Sequence, residues 1–321
     1  MNNFLLELPF LTTLLIFLVV VLVKILLSIF FIKEPMHWFR FFCLQLANKV
    51  NNQNNSAQQQ KIAGLLAALV TLSPLLIILW LFESFIEVNW LWQGFLLYFA
   101  LGSFGLTRSS IKIAKALIAN NSDEAKRLIE PLTLRNTNKL SSLGLTKASV
   151  EMQLLQTIQQ CFTVAFFFFL GGAYAALFFR LLLEMHYSWN IKQRQYQAFG
   201  AFVNNMVQLL QWLPTRLFVM FLLLGTIGQH FILNLQKLNK DFFRLDNAIA
   251  VHCIALVIGK KTGGVAMYNN EKLRRLSFNN NVLEPTPNDI IYVAKRVNQV
   301  LYFSLLLIFI VVFFYIVQLK Q

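Results

Sequence analysis

Four stretches of this chain are each apolar enough to be read as a bilayer-crossing helix, and no other feature limits its possible folds so strongly. They cover residues 10–32, 62–82, 90–107 and 302–319. A helix needs about 20 mainly apolar residues to traverse the hydrocarbon core, where each backbone N–H and C=O must be satisfied without water. Two further stretches are interrupted: 162–183 carries Gly171-Gly172 and Arg180, and 212–228 carries Pro214 and Arg216. The pattern predicts an all-α, polytopic helical membrane protein. It has a single integral membrane domain over 1–321, with about four secure and two broken or re-entrant spans plus interfacial amphipathic helices.

Composition excludes the main alternatives. The chain is 57% hydrophobic and 13% charged, against roughly 45–50% and about 25% in soluble domains, so an ordinary cytosolic domain, a disordered chain and a coiled coil are all ruled out. Cys43, Cys161 and Cys253 sit in or beside apolar stretches and are too few for a disulfide framework or a zinc cluster. The formal net charge of +14 comes with no nucleic-acid readout motif, and in a membrane chain such an excess marks loops facing anionic lipid. Lipid is therefore the expected partner, and nucleic acid is not.

The basic residues are unevenly distributed. Segment 33–61 holds 4 Lys and Arg, 108–153 holds 8 and 230–300 holds 10. The positive-inside rule then makes 108–153 and 230–300 cytoplasmic basic loops, with both chain ends outside and the protein multi-pass in a bacterial inner (cytoplasmic) membrane. Segment 184–211, with Lys192 and Arg194, joins the cytoplasmic side if the two interrupted stretches are only partly inserted.

Local signals refine this outline. Segment 48–61 is an Asn/Gln-rich connector. In 108–119, Ile111, Ala114, Leu117 and Ile118 share one helical face, predicting an interfacial helix on lipid. Asn121 is a helix N-cap, a helix runs from Lys147 into the Gly-Gly segment, and Thr286 or Asn288 caps the last helix. Lys24 is expected to snorkel or to face a partner helix.

Enzyme motifs fail on inspection. Gly259-Lys260-Lys261-Thr262 lacks the upstream Gly and the Ser or Thr after the first Lys that a phosphate loop requires. His37, His186, His230 and His252 show no metal-ligand spacing, no GxSxG elbow is present, and neither a metal nor a cofactor is indicated. Intramembrane charge stands out instead. Arg180 and Arg216 are expected to converge with Glu184, Tyr196 and the Gly171-Gly172 turn on one polar site, where guanidinium forks suit an anionic ligand or a protein partner. Lipid snorkelling is the competing reading of both arginines.

The run 171–217 resembles the central region of the AmpE and CobD/CbiB superfamily of integral membrane proteins. The matching residues are Gly171, Gly172, Phe179-Arg180, Tyr196, Phe199-Gly200 and Pro214-Thr215-Arg216-Leu217, followed by Gly263-Gly264, Tyr268 and Pro285-Thr286-Pro287 with Asp289. The resemblance covers about half the chain. In its cobalamin branch it implies an ATP-driven synthesis that joins an aminopropanol arm to a corrinoid carboxylate, which needs acidic groups for magnesium and an acyl phosphate. Here the branch's acidic elements fall on Leu183-Glu184-Met185-His186, on Val207-Gln208, and on Leu155-Gln156 with Gln159. On that ground the expectation is the AmpE-like branch: a non-enzymatic regulatory and signalling protein of β-lactamase induction. A diverged membrane amide-bond ligase is the alternative.

Overall fold

The computed structural model describes residues 9–30, 36–133, 135–227, 231–268 and 271–319. Residues 31, 32 and 228 of the predicted spans, and His230, lie outside them. The first half contains α1 (Pro9–Phe30), α2 (His37–Val50), α3 (Ala57–Glu83), α4 (Asn89–Ala100), α5 (Leu106–Ile118) and α6 (Ser122–Ile129). Then come α7 (Ser142–Gln156), a π-helical turn (Thr157–Phe162), α8 (Thr163–Ser188) and α9 (Ala201–Leu224). The chain closes with α10 (Phe231–Phe242), α11 (Ala248–Ile258), four very short strands and α12 (Pro287–Leu319). The strands β1 (Thr262–Gly263) and β4 (Ser277–Phe278) pair antiparallel, as do β2 (Ala266–Tyr268) and β3 (Glu271–Leu273), forming a small flap.

Five helical segments are long and apolar enough to cross a membrane: Phe10–Leu27, Ala57–Glu83, Ser142–Ser188, Ala201–Leu224 and Pro287–Gln318. The protein is thus an all-α, multi-pass membrane protein. The longest of these segments does not run straight. Gly172 has φ 74° and ψ −169°, a backbone region open essentially to glycine alone, and there the chain reverses. Phe167 stacks on Phe179 at 5.3 Å, and Tyr187 donates to Oε1 of Gln159 at 2.8 Å. A straight helix would hold those pairs about 18 and 42 Å apart. Both pairs are centred on residue 173, which defines a re-entrant helical hairpin with its tip at Gly171-Gly172 and its base at 159–162 and 185–189.

The other helices are ordered by this hairpin. α3 starts at the base, where Gly64 packs so closely on the Phe199 carbonyl that a Cβ would lie 1.9 Å from its oxygen. It ends towards the tip, where Tyr174 donates to the Leu79 carbonyl at 3.1 Å. α4 returns, from Trp92 donating to Tyr174 (2.9 Å) to Gly102 donating to the Gln160 carbonyl (2.9 Å). The span predicted over 90–107 is corrected by this geometry. Its helix stops at Ala100 after 12 residues, about 18 Å, because the chain turns extended at Leu101 to pair with the hairpin base. Lys24 meets that break, donating to the carbonyls of Leu101 and Gly102, so the one charge of α1 faces a helix end whose carbonyls lack intrahelical donors. Phe10 of α1 and Tyr315 of α12 pack edge to face at 5.0 Å, placing the start of α1 beside the end of α12.

Two apolar cores result. One joins α1 to α4 and the hairpin, and the other joins α5, α6, α7, α11, the second half of α9 and the first half of α12. α5 belongs to the second core and is not a lipid-facing helix as expected. Leu106, Ser110, Ile113, Ala114 and Leu117 are buried against α7 and α12, while Ile118 is exposed. Asn121 and Thr286 cap as the sequence indicates, and Ser141 caps α7 five residues before the predicted start.

Candidate functional site at the base of the hairpin

At the hairpin base, between the two cores, lies a cavity of about 1150 Å³. Its walls come from α2, the first two turns of α5, α7 with its π-helical turn, the end of α8, the first half of α9, the α10–α11 turn and the flap. The π turn inserts an extra residue into the helix, a device often found at functional sites. It presents Gln159 and Gln160 together on the cavity wall.

The lining is strongly basic and rich in carboxamides. Arg40, Arg108, Lys112, Arg135, Lys192, Arg244, Arg274 and Arg275 face it, with Gln156, Gln159, Gln160, Asn190, Asn204, Gln208, Gln211 and Asn247. Only Glu151 and Asp246 supply carboxylates, and both are occupied. Glu151, 1% exposed, receives Arg275 in a two-pronged contact at 2.9 and 3.2 Å and also Arg135. Asp246 receives Arg244 at 2.9 Å. A relay crosses the base: Arg40 bonds Glu184 at 2.8 Å and lies over the Tyr187 ring, Tyr187 donates to Gln159, and Gln159 donates to Gln211 at 3.1 Å. Oε1 of Gln160 is buried without a partner among the described residues.

The six residues singled out from sequence fall in three places, and none of them lines the cavity. Arg180 and Glu184 are brought together as a buried ion pair at 2.7 Å, and Arg40 joins them to the cavity. Gly171 and Gly172 form the hairpin tip, while Tyr196, whose hydroxyl pKa is pushed up by burial, packs in the first core. Arg216 donates to the carbonyls of Trp212, Phe242 and Arg244 and stacks on the Trp212 ring. It holds the end of α10 and hence the segment whose Arg244 side chain enters the cavity. Arg40, Glu151, Arg135, Arg244 and Arg275 were not reached from sequence. Four of them lie in polar segments where a single charge carries no pattern, and Glu151 stands in a helix read as a connector.

A divalent cation fits poorly here. Such ions take several oxygen ligands, chiefly carboxylates, and no group of three or more His, Cys, Asp or Glu converges among the described residues. The positions where the resemblance places acids, Leu155-Gln156, Gln159 and Gln208, do line the cavity, and they are carboxamides or Leu.

Comparison with known proteins corrects the regulatory reading. The family described as CobD/Cbib protein matches residues 13–297. A cobalamin biosynthesis protein CobD of Stutzerimonas stutzeri is 27% identical over 231 residues, covering 71% of this chain and 76% of its own length. Proteins of the same name from Chromobacterium violaceum (26%, 52% of this chain, 54% of the relative) and Leptospira interrogans (23%, 67% and 71%) are also similar. No solved structure matches. These relatives all carry the cobalamin name, which overturns the expected AmpE-like signalling role. The loss of acidic elements had weighed against the cobalamin branch, yet the likeness extends over most of the chain. This chain belongs to the CobD/CbiB protein family.

Proposed function

We propose that this protein is a bacterial inner-membrane enzyme of cobalamin biosynthesis that binds a corrinoid carboxylate in the basal cavity and joins an amine to it as an amide. The observation that carries the reading is the cavity itself: eight cationic side chains and eight carboxamides around about 1150 Å³. Carboxamides both donate and accept hydrogen bonds and suit a large amide-bearing ligand, while the guanidinium groups suit its anionic parts. In the ATP-driven chemistry that the resemblance implies, the carboxylate is activated as an acyl phosphate. The amine nitrogen then attacks the acyl carbon, phosphate leaves with its bonding electrons, and the nitrogen loses a proton. The charge that develops on the acyl and phosphate oxygens is met by Arg and Lys of the cavity, since the lining offers no carboxylate set to hold a metal. No step is routed through a cation.

Support for the membrane orientation comes from the basic residues. Segments 108–153 and 230–300 both contribute to the basal half, which on the positive-inside rule faces the cytoplasm, where the nucleotide and the corrinoid intermediate are found. The direct test is complementation of a strain lacking its CobD-type synthase. Restored corrinoid-dependent growth is expected with the wild-type chain, and growth no better than with empty vector overturns the enzymatic reading.

A further inference from the structure

We propose that Arg108 and Lys112 on α5, with the first turn of that helix, form a subsite for a phosphate group of the ligand. It rests on the preceding reading only in taking the basal cavity as the ligand site.

Charge accounting singles these two residues out. Arg40, Arg135, Arg244 and Arg275 are each neutralised by a carboxylate. Arg108 and Lys112 line the same cavity with no carboxylate partner among the described residues. They are i and i+4 on one helix, so their charges rise from one face about 6 Å apart. Both side chains are exposed, although the helix beneath them is anchored by buried Ile113, Ala114 and Leu117. A firm backbone therefore presents two mobile cations to the cavity.

The backbone adds a second source of attraction. Gly105, Leu106 and Ser109 line the wall beside the two cations. The first amides of a helix lack intrahelical acceptors and sit at the positive end of its dipole, an arrangement that favours phosphate oxygens. A tetrahedral dianion can use a guanidinium fork, an ammonium, a hydroxyl and backbone amides at once, whereas a carboxylate has only two oxygens to offer. That the cavity accommodates a ligand is independently indicated by Gln160, 3% exposed, whose unpartnered Oε1 is an acceptor awaiting a donor. The phosphate could belong to a soluble substrate or to a lipid headgroup, and the chemistry of the subsite is the same for both.

Calorimetric titration of the full-length protein in phosphatidylcholine nanodiscs, with inorganic tripolyphosphate as probe, tests the subsite. Saturable, salt-sensitive binding is expected. R108A/K112A should weaken it by about tenfold or more, from the loss of two charge-assisted contacts. R108K/K112R should retain most of the affinity, and K126A/R127A on α6 should leave it unchanged. Equal binding by R108A/K112A, or no saturable binding by the wild type, overturns the proposal. If the double variant shows no thermal unfolding transition, R108Q and K112Q are compared singly, and neither weakening binding is equally fatal. Adding phosphatidylglycerol to the discs separates the sources. Undiminished tripolyphosphate affinity assigns the subsite to a soluble ligand, whereas competition that depends on Arg108 and Lys112 assigns it to a headgroup. Failure here with successful complementation would sink the subsite and leave the enzymatic reading, while the converse result would do the opposite.

Discussion

A single buried carboxylate organises much of the cavity wall. Glu151 ties Arg135, from the segment before α7, and Arg275, from the flap, to one point. Removing one partner of a buried ionic group leaves its counter-charges uncompensated and costs about 3–5 kcal/mol. Glu151→Gln should therefore lower the thermal midpoint in detergent, with a stability loss of about 3 kcal/mol; a midpoint equal to wild type would show that water serves the two guanidiniums as well. Cys43 gives a second check at this scale. Burial, with the Glu184 charge nearby, pushes its thiol up to about 12, so the nucleophilic thiolate is scarce. At about pH 8 the folded protein should leave Cys43 unlabelled by maleimide and the denatured protein should label fully. Rapid labelling of the folded form would mean that α2 opens away from the hairpin.

Among the elements, the hairpin depends most on one residue. Gly172 occupies a backbone conformation that side-chain-bearing residues avoid, and nothing crowds the position of its missing Cβ. Gly172→Ala is thus expected to cost about 1–3 kcal/mol through backbone strain alone, read as a lower midpoint with the fold retained; an unchanged midpoint would show that the reversal tolerates any residue. The flap is held differently. Glu284 bridges Lys147 of α7 at 2.5 Å and Lys261 at 3.5 Å. Partial burial opposes its ionisation, yet the two lysines prevail and hold its carboxyl below the ordinary 4.5. A lowered carboxylate pKa stabilises the folded flap above about pH 4.5, and that contribution disappears as pH falls through the lowered value. Amide exchange over residues 261–284, corrected for intrinsic rates, should accelerate on acidification in the wild type and be fast already at neutral pH in Glu284→Gln. Identical protection in the two proteins would mean that strand pairing alone holds the flap.

For the whole molecule, the contacts of Phe10 with Tyr315 and of Gly64 with Phe199 order the helices into a tip end and a base end. With the base facing the cytoplasm, cysteines placed at Ser142 and Asn280 should resist labelling from the periplasm in intact cells, and one placed at Ser84, near the tip, should label. The reverse pattern would invert the orientation. Apolar run lengths, the caps at Asn121 and Thr286, and the Gly-Gly break were all legible in the chain, because each is decided by neighbours a few residues apart. The fold class followed from them. The short return of α4 was not legible: Leu101 to Thr107 reads as apolar, and its helix ends only because Gly102 pairs with the Gln160 carbonyl 58 positions further on. α5 likewise reads as lipid-facing until α7 and α12 cover it. The cavity was out of reach for the same reason, since its cations come from seven separate parts of the chain and a charge in a polar loop has no periodicity to betray its direction. Sequence by itself determined which segments leave water, because transfer free energy adds residue by residue. Tertiary structure alone decided which charges meet, because an ion pair depends on distances that only the reversal at Gly172 and the packing of the two cores bring into range.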